Sequence, residues 1–323
     1  MKQLRPIMLL LIILCGQGDA TAQINEQYSL WNQNHFLINP AAAGNKYYTD
    51  VNLGFRRQWA GISDAPKTFY STVHTVLNQA KNSERSSIRT SKTPNIQTRQ
   101  RIKHALGFTA KSLDMTAFKT NEGLITYAMH LPINKSIRLS FGVSGGLKTL
   151  SFNESKAEVL LDGDQVYEAY AGSSNQMMGN INSGIYLYSD KFFFGYSASD
   201  LLQNDLNLIS DEVVQQDRSK LSIRHQLMGG YHFDFTNDLR ISPAVLIKQT
   251  GNNPASAELN TMVAYKQVIS AGLGYRTEDA MSVLLGLQIN HFLKAGYSYD
   301  YTLSQIRNQS TGSHEIFIGL TLF

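Results

Sequence analysis

The sequence predicts an all-β protein: a transmembrane antiparallel β-barrel of about 14 strands behind an N-terminal signal peptide. Three observations carry that expectation. Apolar and polar residues alternate with period 2 over segments longer than an ordinary globular strand of about 5–6 residues. No segment after residue 22 approaches about 18 consecutive apolar residues, which excludes helical membrane spans. The connections are short on one side of the strand order and mostly long on the other, as outer-membrane barrels arrange them.

Residues 1–22 read as an address. Lys2 and Arg5 form a positive start, Ile7 to Leu14 an apolar stretch too short to span a bilayer, and Ala20-Thr21-Ala22 a small-residue cleavage site. Cys15 raises the alternative of a lipidated cysteine, but Leu14 before it is bulkier than lipoprotein processing accepts. Cys15 is also the only cysteine. Once it is cleaved off, disulfides, thiol nucleophiles and cysteine metal sites are excluded. Residues 23–48 are expected to form a periplasmic or lumen-plugging segment, and 49–323 the barrel.

Composition alone is ambiguous. The chain is 42% hydrophobic with a mean hydropathy of −0.22, because lipid-facing apolar residues alternate with lumen-facing polar ones. Sixteen tyrosines and fifteen phenylalanines suit aromatic girdles. The pattern decides. Ile137, Leu139, Phe141, Val143 and Leu147 oppose Arg138, Ser140, Ser144 and Lys148; Met281, Val283, Leu285, Leu287 and Ile289 repeat the scheme at 281–290. Residues 239–248 do so again, with Pro243 marking a bulge or local ladder defect. Weaker versions fall near 49–59, 68–78, 104–113, 121–131, 181–189, 191–199, 222–234, 257–266, 268–277, 292–302 and 313–323.

If the chain enters from the periplasm at residue 49, the connections after the even strands are short, as at Asp190, Gln267 and His291. Those after the odd strands include 150–180, 201–221, 249–256 and 303–312. Residues 79–103 break the rule. They carry Lys81, Arg85, Arg89, Lys92, Arg99, Arg101 and Lys103 against Glu84. That composition reads either as a solvated insertion or as a basic arm for a partner or anionic lipid.

Three local signatures point further. Asn39-Pro40-Ala41-Ala42-Ala43-Gly44 precedes the first strand. Arg57-Gln58-Trp59-Ala60-Gly61 and Ala65-Pro66-Lys67-Thr68 join strands one and two. Lys294-Ala295-Gly296-Tyr297-Ser298-Tyr299-Asp300-Tyr301 and Gly312-Ser313-His314-Glu315-Ile316 lead to Phe323. In this order and spacing, over essentially the whole chain after residue 22, the sequence resembles the PorP/SprF family of type IX secretion system membrane proteins of Bacteroidetes. The resemblance implies a non-catalytic outer-membrane component of that system. Its partners would be secretion machinery (a periplasmic ring or peptidoglycan-binding protein) and a secreted surface protein such as a gliding adhesin.

The candidate partner-binding or structural residues are Asn39, Pro40, Gly44, Arg57, Gln58, Trp59, Gly61, Pro66, Lys67 and Phe323. Asn39-Pro40 fits a turn, either in an ordered lead-in or in a segment at the periplasmic mouth or inside the lumen. Trp59 suits an anchor at the membrane interface. Lys67 and Arg56 are placed at the lumen or its mouth. Phe323 resembles the terminal aromatic of barrel assembly signals. Both faces of 313–323 are apolar, which leaves inside and outside open there.

Other functions find little support. The eight histidines are scattered, and neither H-E-x-x-H nor G-x-S-x-G occurs. Asp162-Gly163-Asp164 with Glu168 lacks the spacing of a calcium loop. Neither catalysis nor a metal or cofactor is expected. A pI of about 8.9 does not indicate nucleic acid, because the excess charge lies largely in one loop. The serious alternative is a passive outer-membrane channel, since a barrel of about 14 strands encloses a lumen that conducts unless plugged.

Overall fold

The computed structural model describes residues 26–77, 101–156, 176–204 and 220–322. The proposed signal peptide, the basic residues 81–99, the Asp162–Glu168 turn, most of the loops at 150–180 and 201–221, and Phe323 lie outside them.

Fifteen strand segments form one antiparallel sheet that closes on itself. They are β1 (Thr49–Arg57), β2 (Lys67–Val76), β3 (Lys103–Met115), β4 (Phe118–Pro132), β5 (Arg138–Phe152), β6 (Gln176–Tyr188), β7 (Phe192–Ser199), β8 (Arg224–Tyr231), β9 (Phe233–Asp234), β10 (Leu239–Thr250), β11 (Ser256–Tyr265), β12 (Ile269–Arg276), β13 (Ala280–Gln288), β14 (Leu293–Thr302) and β15 (Ser313–Leu322). Each pairs with its neighbour in sequence except that β8 and β9 both pair with β10, and β1 pairs with β15. The two-residue β9 continues β8 beyond His232, so the wall has 14 staves.

The break between β8 and β9 faces Ser242 and Pro243. Proline brings no N–H to the ladder. The register is the same on both sides, with Ala244 opposite Gly230 and Ile241 opposite Phe233. The expected irregularity at Pro243 is therefore a gap in the ladder without an inserted residue.

Period 2 decides what faces lipid. In β4, Ile125 is 67% exposed while its neighbour Thr126 is fully buried. In β5, Phe141, Val143 and Leu147 point out while Arg138, Ser140, Ser144 and Lys148 point in. This inverts a soluble core and is stable only where the outside is hydrocarbon. Exposed aromatics flank the belt near both rims, among them Phe55, Tyr275 and Tyr301 at one and Phe194, Phe233 and Tyr265 at the other.

The connections define two mouths. The tight turns 133–137, 189–191, 235–238, 266–268 and 289–292 lie at one, where β1 also begins and β15 ends. The loops 58–66 and 303–312 lie at the other, which also carries the short links 116–117 and 277–279. Length parity thus holds at the turn mouth except for the connection 77–102 between β2 and β3, and the loop mouth mixes long loops with short links.

The lumen is filled by the chain's own residues 28–44. These form short helical turns, Trp31–Gln33, His35–Ile38 and Pro40–Ala42, in irregular backbone. Tyr28, Leu30, Trp31, Phe36, Leu37, Ile38, Ala41, Ala42 and Ala43 are all buried there. Non-strand backbone at membrane depth is tolerable only inside protein, where the wall satisfies its polar groups.

Candidate functional site

The site is the filled lumen. Its floor is the first signature, seated near the turn mouth. Asn39 is fully buried. Its Oδ1 accepts from Ala41 N (2.9 Å), which caps the turn beginning at Pro40. Its Nδ2 donates to the carbonyls of Ile185 and Tyr196 (3.0 and 3.1 Å). One side chain thus satisfies both the segment and the wall.

The wall is cut to fit. A Cβ on Gly142 would stand 2.4 Å from Ala41 N, and one on Gly184 2.1 Å from Asn39 Oδ1. Gly44 has φ +70°, which suits glycine. Its N–H donates to His74 Nδ1 (3.1 Å), and its carbonyl accepts from Lys103 Nζ (3.0 Å). Lys103 also reaches the Asn45 carbonyl (3.2 Å), and His130 Nε2 lies 2.7 Å from the Ala43 carbonyl. The alanines are small because the backbone itself is the ligand of the wall.

At the loop mouth the grip is ionic. Arg56 of β1 is Glu315's register partner across the β1–β15 seam. Ser29 sits between them. Its N–H donates to Glu315 Oε2 (2.7 Å) and its Oγ donates to Asp300 Oδ2 (2.7 Å). That Oγ also accepts from Arg56 NH1 and Arg276 NH2, at 3.0 Å each. A hydroxyl has one proton and two lone pairs, and all three are used. Arg56 pairs with Asp300 (2.7 Å) and Glu315 (3.3 Å), and Arg276 with Glu258 (3.0 Å) and Asp279 (2.8 Å). Trp31 Nε1 donates to Glu258 Oε1 (3.0 Å), and Tyr70 OH to Glu315 Oε1 (2.8 Å).

A second network holds the start of the segment. Glu26 meets Lys111 (3.3 Å) and Arg224 (3.5 Å), while Lys148 and Arg224 both pair with Asp200. Burial by itself would raise the Glu26 carboxyl; Lys111 and then Arg224 outweigh it and hold that carboxyl well below the usual range. A cavity of about 20 Å³ beside the segment, lined by Glu26, Tyr28, Phe36, Lys111 and Arg224 among others, has room for about one water.

The structure brings the second and third signatures together. Ala60 N donates to the Gly312 carbonyl and Thr311 N to the Ala60 carbonyl, both at 2.7 Å. Trp59 N donates to Ser313 Oγ (3.0 Å). Gly61 has φ +98°, and its added Cβ would lie 3.4 Å from the Gln309 carbonyl. The Pro66 carbonyl accepts from Gln58 N (2.9 Å), and Gln58 Nε2 donates to Gln27 Oε1 (3.0 Å), tying this loop to the plug.

Arg56 and Lys67 part company. Arg56 points inward and is 1% exposed, whereas Lys67 points outward beside its partner Arg57. Lys67 therefore does not line the lumen. The reason is parity, since Arg56 is opposite Thr68. Ser29, Trp31, Glu258 and Arg276 carry much of the grip without standing out in the sequence. For the strand residues the available signal was a full charge on the inward face of a strand. His314 and Glu315 point to opposite faces, so they form no dyad.

A closed sheet with an apolar exterior, a charged interior and a self-inserted plug defines the class: a plugged outer-membrane β-barrel. The family model described as "Type IX secretion system membrane protein PorP/SprF" matches residues 20–320, and the chain belongs to that family. It is an outer-membrane protein. Similar solved structures include the Acinetobacter baumannii outer-membrane protein Omp33 (7% identity, 86% of this chain and 100% of that one, TM-score 0.47). Others are the CymD monoaromatic hydrocarbon channel (10%, 92% and 94%, 0.49) and a Pseudomonas aeruginosa FadL homologue (10%, 88% and 92%, 0.48). At these scores they bear on no question of function. No curated protein sequence matches the chain.

Proposed function

We propose that this barrel is a non-catalytic adaptor of type IX secretion, supporting the export or surface attachment of a cargo protein such as a gliding adhesin. Family membership supports the system. The observation that carries the adaptor role over a channel is the lumen itself. Residues 28–44 fill it, gripped by Lys103 and His130 near one mouth and by Arg56, Arg276, Asp300 and Glu315 near the other. An open porin leaves its lumen clear for solutes, whereas here the chain fills it and is held at both ends. An adaptor needs only a rigid frame with a shaped face on each side of the membrane.

Pull-down of the full chain from detergent-solubilised outer membrane, followed by mass spectrometry, tests this. Recovery of a large surface adhesin, or of a periplasmic ring or peptidoglycan-binding protein, supports the adaptor role and identifies its branch. Recovery of the barrel alone, together with open-pore conductance, favours the channel reading.

A further inference from the structure

We infer that the N-terminal segment is threaded through the barrel, so that the chain enters its own lumen at the loop mouth and leaves it at the turn mouth to begin β1. The contacts fall in order of depth. Glu26 meets Lys111 and Arg224, and Gln27 meets Gln58 and Arg276, all near or at the loop-mouth ends of their strands. Ser29 and Trp31 follow, on Asp300 and Glu258. Asn34 Nδ2 donates to Thr72 Oγ1 (2.9 Å) midway along β2. Phe36 then packs where a Cβ on Gly107 would stand, against His74 (ring centroids 5.1 Å). Ala43, Gly44 and Asn45 end on His130 and Lys103 at the turn-mouth ends of β4 and β3.

This adds one crossing, in irregular backbone, to an even number of strand crossings. Glu26 and the Leu322 end of β15 therefore lie at opposite mouths. Both strands that close the barrel hold the thread at the same residue, through Arg56 and Glu315 on Ser29. Seam and thread are thus joined at one residue. A partner acting on the start of the segment must stand on the side of loops 58–66 and 303–312.

Three reporters on the full chain test the threading in intact cells. One peptide tag is inserted immediately before Glu26, one between Ser63 and Asp64 in the loop-mouth connection, and one between Asn134 and Lys135 in a turn. Antibody that does not cross the outer membrane should reach the first two alike and the third oppositely. If the tag before Glu26 follows the one at 134–135 instead, the threading is wrong. A tag that blocks assembly leaves a second measurement. The cysteine pair Gln27→Cys with Gln58→Cys should form a disulfide in the assembled barrel, and the pair Gln27→Cys with Lys135→Cys should not. The reverse pattern would equally overturn the inference.

Discussion

Arg56 on the first strand and Glu315 on the last are register partners across the closing seam, and both bind Ser29 of the plug. Closure of the barrel and seating of the plug therefore share one set of bonds. Removing one member of a buried ion pair leaves the other uncompensated, at a cost of about 3–5 kcal/mol. Arg56→Ala should lower barrel stability by that amount, measured as the urea midpoint of unfolding. Glu315→Gln should be non-additive with it in a double-mutant cycle, because the two share a network. Additive effects would show that Arg56 and Glu315 do not act through one network.

Gly142 lies where the Ala41 backbone touches the wall. Gly142→Leu leaves the β5 ladder intact but occupies the seat of the first signature. The expected result is an assembled barrel whose residues 39–45 lose protection from hydrogen exchange. Unchanged protection would mean that the close approach does not fix the plug.

Lys103 spans the Gly44 and Asn45 carbonyls from a buried position. Lys103→Met keeps the bulk and removes both donors. Leaving buried acceptors unpaired costs about 1–3 kcal/mol each. Exchange at Gly44–Lys46 should quicken accordingly, while amides at Ser29–Trp31 stay protected by the separate ionic grip.

The lipid face predicts a depth dependence. Leu285 is mid-strand on the outside of β13, and Tyr301 is outside β14 near the loop rim. Leu285→Arg should cost about 2–4 kcal/mol of folding stability in bilayers and Tyr301→Arg about 0–1. Equal costs would contradict the assigned belt.

The strands were legible because period 2 needs no tertiary information. Residues 281–290 became Ala280–Gln288, and 137–148 became the core of Arg138–Phe152. The closing strand was not legible, for a reason the plug supplies. An apolar residue facing a barrel lumen is unexpected unless the lumen is itself filled. Phe317 points inward and is fully buried, while Ile316, Ile318 and Leu322 face out. Phe193, Met228, Leu246 and Leu284 are inward apolar residues of the same kind. The first signature was readable as a turn, and its seat on Gly142 and Gly184 was not, since glycines in a strand do not announce what approaches them. Ser29 was invisible for the opposite reason, as one small residue whose three hydroxyl hydrogen-bond positions are filled by residues up to 271 positions away in sequence.

A barrel filled by its own chain should pass no ions. Planar-bilayer recording of the purified full-length protein tests it most directly. The wild-type barrel should be electrically silent, and Gly142→Leu, with its plug unseated, should show current under the same conditions. Steady open currents from the wild type would instead make the lumen a channel.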